Sequence, residues 1–153
     1  MKIAFAVAAL ALMTCPAMAQ DMVTPPAAEA PNTTAFAPGQ VWTLKDPAFA
    51  GARLIVDKVE MLGEQHIVHI SLTDVPPGVS QLSTFAHLPF SEDAVRQSVD
   101  ALAQLDGQPY PGFAAGYAQW QAAKGGVFTV PVPDVIGLLN AALHAPPPDG
   151  QRG

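Results

Sequence analysis

The sequence predicts an α+β domain: a small antiparallel sheet of four to five strands with about three helices packed on one face. Two observations carry this. Apolar residues alternate with period two through residues 41–72, and they recur at helical spacing in the second half of the chain. A strand cluster followed by helices is the order of an antiparallel sheet covered by helices.

Val41-Trp42-Thr43-Leu44 opens the pattern as a short strand, and Pro47 and Gly51 break the loop after it. Arg53 to Glu60 and His66 to Leu72 are β-rich runs joined through Leu62-Gly63-Glu64-Gln65, a hairpin signal. Asp74-Val75-Pro76-Pro77-Gly78 interrupts the chain, and Gln81 to His87 reads as a fourth strand. Ser91 is a good N-cap, with Glu92 and Asp93 in the first turn where the helix dipole favours negative charge. Val95, Val99 and Leu102 share a face of that helix, with Leu105 near its edge, and Gly107 is placed to stop it. A second helix starts near Pro111, with Phe113, Tyr117 and Trp120 on one stripe, and ends at Gly125-Gly126. Such a stripe is most simply a core face. Val127 to Val130 is expected as a fifth strand, and Pro133-Asp134 opens a third helix with Val135, Ile136, Leu139 and Leu143 as its apolar side.

The N-terminus bounds the destination. Lys2, the apolar run Ile3 to Met13 and Ala17-Met18-Ala19 follow the order of a cleaved secretory signal, of a compact, alanine-rich bacterial type. The apolar run is too short for a permanent span, which needs about 20 residues, and no later segment is apolar enough for one. Cys15 invites a lipoprotein reading, but Thr14 before it and Pro16 after it fit that poorly. Cleavage after Ala19 leaves a mature chain without cysteine, which excludes disulfides, thiolate metal sites and cysteine nucleophiles. The organisation expected is a signal peptide at 1–19, a Pro/Ala-rich spacer at 20–39, one domain at 40–143 and a Pro-rich tail at 144–153.

Removing Lys2 with the leader leaves six basic side chains against thirteen acids, a net charge of −7. That balance argues against nucleic acid and anionic lipid as partners. No G-x-S-x-G, P-loop, G-x-G-x-x-G or H-E-x-x-H is present, so no enzyme class and no cofactor is indicated. Gly112 and Gly116 stand four apart beside aromatic residues and carry no membrane signal.

The residues nominated for a site are His69, His87, Trp42 and Tyr110. His66 and His69 point to opposite faces of a strand and cannot share an ion. His69 meets His87 only if the third and fourth strands are neighbours in register. With Asp57 or Glu60 they then form a His/carboxylate patch able to ligate a divalent metal or run acid–base chemistry. The plainer expectation is two unrelated histidines, with His87 a neutral ring donating to a backbone carbonyl beside the turn into the helix at Ser91. Trp42 and Tyr110 are placed to flank a surface cleft, and His144 to meet solvent. Taken together, the sequence reads as an exported accessory protein that binds an envelope protein or a small ligand without catalysis. The alternatives are a small metal-binding or hydrolytic domain built on His69 and His87, and a purely structural envelope component.

Overall fold

A computed structural model describes residues 35–145. The expected signal peptide, most of the expected spacer and the residues beyond 145 lie outside the described residues. The α+β class is the one observed: five strands in one antiparallel sheet, with three helices against it. The strands are β1 (Val41–Leu44), β2 (Arg53–Leu62), β3 (Gln65–Thr73), β4 (Phe85–Ser91) and β5 (Val99–Gln104), in spatial order β4-β3-β2-β1-β5. The helices are α1 (Glu92–Ser98), α2 (Phe113–Ala122) and α3 (Val132–His144), and a single 3₁₀ turn covers Pro47–Phe49. No helix among the described residues is long and apolar enough to cross a membrane.

β2 and β3 form the expected hairpin, closed at the Leu62–Gln65 pair around Gly63, whose φ of 63° suits a residue without Cβ. One face of the sheet carries Trp42, Leu54, Val56, Val68, Ile70, Leu72, Leu88 and Phe90, all buried. Against it pack Ala94 and Val95 of α1 and Val132, Val135 and Ile136 of α3, completing the core. Phe36, from the end of the expected spacer, is part of this core and meets the Trp42 ring edge-on at 5.5 Å. Gln40 is buried, and its Oε1 accepts the Trp42 indole N–H at 3.1 Å, so the core's polar atom is satisfied. Trp42 is therefore a core residue, only 1 % exposed, and does not flank a cleft.

Three elements depart from expectation. The fourth strand runs Phe85–Ser91 and not Gln81–His87, so His87 lies inside it. The helix capped by Ser91 is real, with Ala94 N donating to Ser91 Oγ, but it ends at Ser98. Val99–Gln104 is strand β5, paired with β1 at Leu44–Val99 and Trp42–Leu102. Two steps along β1 thus face three along β5, so a bulge lets Val99 and Leu102 turn toward the core together. That spacing of three is what reads as a helix. Gly107 does not stop a helix; its amide donates to Gly39 O, and a Cβ there would fall 2.5 Å from the Val41 side chain. The strand expected at 127–130 is reduced to one parallel bridge, Phe90–Phe128, on the outer edge of β4. Pro89 is accommodated in β4 because that strand lies at the sheet edge.

Ser98 ties the short helix to the long one. Its hydroxyl donates to Ala94 O at 2.7 Å and accepts the Val132 N–H at 2.8 Å, with all three residues buried. Ser98→Ala leaves the Val132 donor buried without a partner and is expected to destabilise the domain by about 1–3 kcal/mol. Denaturant melts of the two proteins check this, and equal midpoints would mean that water replaces the hydroxyl.

Candidate functional site

The second face of the sheet is polar, and bulges make it so. Val56 pairs with Ile70 and Lys58 with His69, which leaves Asp57 as an extra residue in β2. On the other side of β3, Ile70 pairs with Leu88 and Leu72 with Phe85, so Ala86 and His87 together face Ser71. The two irregularities put Asp57, Lys58 and Glu60 of β2, His69 and Ser71 of β3 and His87 of β4 on one surface. Ser71 donates to the Ala86 carbonyl at 2.7 Å, occupying a backbone group beside the bulge.

α2 lies over this surface. Gly112 and Gly116 permit its approach: a Cβ on Gly112 would stand 3.0 Å from Ala86 Cβ, and one on Gly116 would stand 2.6 Å from His87 Cβ. The aromatic stripe therefore does not enter the hydrophobic core. No residue of α2 is fully buried. Its rings instead enclose the two histidines. His69 meets Tyr117 and Trp120 edge-on at 5.0 and 4.9 Å, and His87 meets Phe113 at 5.6 Å.

His69 and His87 are brought together, unlike the expected pair of unrelated rings. His69 Nδ1 and His87 Nε2 are 2.9 Å apart, and His69 Nε2 lies 2.9 Å from Glu60 Oε1. Glu60 also pairs with Lys58 at 2.5 Å and accepts from the Tyr117 hydroxyl. Lys58 reaches the Tyr117 oxygen as well and sits 4.1 Å from that ring's centroid. Gln121 donates to the same oxygen at 2.9 Å.

The electrostatics fix the direction of the chain of bonds. Burial raises the Glu60 carboxyl, but hydrogen bonds from Lys58, Tyr117 and His69 outweigh it and hold the group below its ordinary value. Lys58 is raised by its bond to Glu60. Burial lowers His69 against the opposing pull of Glu60. His87 is lowered to about 4 by burial and by His69. At neutral pH Glu60 is a carboxylate and both rings are neutral. An ionised carboxylate only accepts, so His69 donates from Nε2 and accepts at Nδ1. His87 must then donate from Nε2, which leaves its Nδ1 unprotonated. The donation of His87 is thus to a ring nitrogen, not to the backbone carbonyl expected from the turn.

A second acidic group lies alongside. Asp57 is buried, accepts from Ser71 Oγ at 2.7 Å and from the Tyr110 N–H at 3.1 Å, and has its carboxyl raised by burial against these bonds. Ser71 has a single hydroxyl proton and two acceptors at 2.7 Å, Asp57 and Ala86 O. The Ser71 hydroxyl thus bridges the Asp57 carboxyl and the Ala86 carbonyl. Tyr110 thus joins the site by its backbone, anchoring the loop into α2. His144 closes α3, near Gln81 and Asn140, and His66 is exposed with Glu92 3.7 Å away.

No group of three or more metal-ligating side chains is assembled among the described residues. His69 has both ring nitrogens engaged within the protein. What the sequence reading missed was Lys58, Tyr117 and Trp120 as walls of this cluster; the only signal was the aromatic stripe, whose spacing also fits a core face.

Beside the cluster, Leu62, Trp120, Gln121, Lys124 and Gly125 line an open, mainly apolar groove of about 370 Å³. Trp120 is fixed in its wall, since the indole N–H donates to Gly126 O at 2.9 Å. A Cβ on Gly125 would stand 2.2 Å from Trp120 Cδ1, so only glycine leaves the ring in place. Comparison with protein-family models, curated proteins and solved structures returns no match.

The lowered His87 predicts an acid sensitivity whose sign is defined. Between about pH 6.5 and 4 the unfolded chain takes up a proton at residue 87 and the folded one does not. The stability held above pH 6.5 is therefore lost as pH falls through that window. His69 adds a loss of the same sign, while the raised Asp57 works in the opposite direction. His87→Gln should flatten the fall of Tm with acid, measured from pH 7 to 4. An unchanged slope would show that residue 87 is not protonated only on unfolding.

Proposed function

We propose that this chain is an exported bacterial accessory protein, a non-catalytic binding domain working in the cell envelope. One observation carries the reading: Trp120 is immobilised in the wall of an open apolar groove, with Leu62 56 % exposed beside it. A large aromatic ring already held in place forgoes little conformational freedom on binding, which is the property of an interface anchor. The groups that could perform chemistry are committed to one another. His69 is bonded on both sides, Ser71 is engaged by Asp57 and Ala86, and Ser91 caps α1. Export rests on the N-terminal pattern ending at Ala17-Met18-Ala19.

The hydrolytic alternative draws on the contact of His69 with His87 and Glu60. It still needs a nucleophile or a positioned water and a place for a developing negative charge. The free Nδ1 of His87 supplies only the base.

The test uses the full chain expressed in a bacterial host, with a photo-crosslinking amino acid at position 62 and, in a second protein, at position 138. Leu138 is 66 % exposed on α3 and controls for surface stickiness. Crosslinking of an envelope component from position 62 alone, in a protein whose N-terminus is Gln20, is the expected result. An intact leader, or equal labelling from both positions, would refute the reading.

A further inference from the structure

Lys124 is out of keeping with its surroundings. The chain carries thirteen acids and seven basic residues, so cations are scarce. Among the described residues the other four Lys and Arg side chains are engaged. Lys45 donates to Arg96 O, Arg53 to Gly51 O and Ala52 O, Lys58 to Glu60, and Arg96 to Glu92. The Lys124 ammonium has no such partner, and the residue lines the apolar groove. Its backbone is also unusual: φ is 50°, the left-handed region that glycine occupies at small cost, just past the end of α2. Two glycines follow immediately, yet the left-handed position itself carries a long cationic side chain. Favourable interaction with the helix C-terminus accounts for a positive charge near this place. It does not account for the charge bordering a concave surface made by Leu62 and Trp120.

We propose that the groove binds a small, free anionic amphiphile, with an apolar chain or ring against Leu62 and Trp120 and a carboxylate at Lys124. This rests on the binding-domain reading and names the ligand chemistry of that site. The groove volume, about 370 Å³, is within the range of small-molecule sites, roughly 300–1,000 Å³. Gln121 stands beside Lys124 in the lining, but its amide already donates to Tyr117, so the lysine supplies the charge contact. An anionic bilayer is disfavoured as the source, because the net charge, −6 for the full chain and −7 after removal of the leader, repels such a surface. The monomeric ligand meets Lys124 at close range instead. Trp120 also links the groove to the histidine cluster, its ring lying 4.9 Å from His69 and 6.0 Å from His87 between centroids.

Decanoate, decyltrimethylammonium and decanol, each below its aggregation or solubility limit, are titrated into the full chain. Binding is read by tryptophan fluorescence and by amide NMR shifts. Trp42 is in the core and Trp120 borders the groove, so the fluorescence change should vanish in Trp120→Phe. Decanoate is expected to bind about tenfold more tightly than decanol, and the ammonium more weakly than either. Lys124→Gln should remove that preference, Lys124→Glu should reverse it in favour of the cation, and Leu62→Asp should abolish decanoate binding. Equal affinity for decanoate and decanol, a Lys124→Gln protein that still prefers the acid, or NMR shifts away from Leu62 and Gly125 would overturn the proposal. Crosslinking from position 62 that persists alongside charge-blind titrations would defeat this inference and leave the binding-domain reading standing.

Discussion

The architecture depends on the places where the sheet abandons strict alternation. A regular strand would send every second residue of β2 to the core, and Lys58 would fall beneath the sheet with Leu54 and Val56. The extra residue at Asp57 resets the parity, so that Val59 returns to the core side opposite Val68 while Lys58 and Glu60 face outward. The matching irregularity in β4 turns His87 to the same side, and the one in β5 brings Val99 and Leu102 back to the core. Without these irregularities the sheet could not keep a continuous apolar face and a clustered polar one.

On the polar side, each group is held by another of different chemistry. Glu60 would be an isolated carboxylate under aromatic rings without Lys58, Tyr117 and His69. Without the other ring, His87 would lose the acceptor for its Nε2–H, and His69 the donor to its Nδ1. Because the hydrogen bonds form a series, the proton positions are set jointly rather than residue by residue. α2 contributes little to the core, and its attachment comes from stacking over this series and from the two glycines that let it approach.

Much of this was legible in the residues. The hairpin, the Ser91 cap, the opposed faces of His66 and His69, and the apolar side of α3 at Val135 and Ile136 follow from local chemistry with short reach. The failures share a cause. Val99, Leu102 and Leu105 have helical spacing, but a bulged strand produces the same interval, and pairing with β1 decides between them. Trp42 was placed at a cleft because a glutamine two residues before an indole does not announce itself as its acceptor until the strand buries both. His69 and His87 were readable as a conditional pair, awaiting the register of β3 against β4. Tyr117 and Trp120 were readable as a stripe, but their partner was the polar face of the sheet. Amphipathic spacing shows that a face is covered and is silent about what covers it.

The strand order also carries a consequence for the route by which the domain assembles. β2 and β3 meet across a two-residue turn, so their pairing closes almost no loop. β1 is held on its other side by β5, through bonds between Thr43 and Ala101, 58 positions apart. Closing that distance costs chain entropy before any contact compensates for it. The hairpin therefore forms early, and the sheet stays open on the β1 side until Val99–Gln104 docks. α1 is the short rigid piece that delivers β5 there, having itself been started by the last residue of β4. The domain is closed like a clasp by its second half, and a chain stopped before residue 104 has a hairpin but no completed sheet.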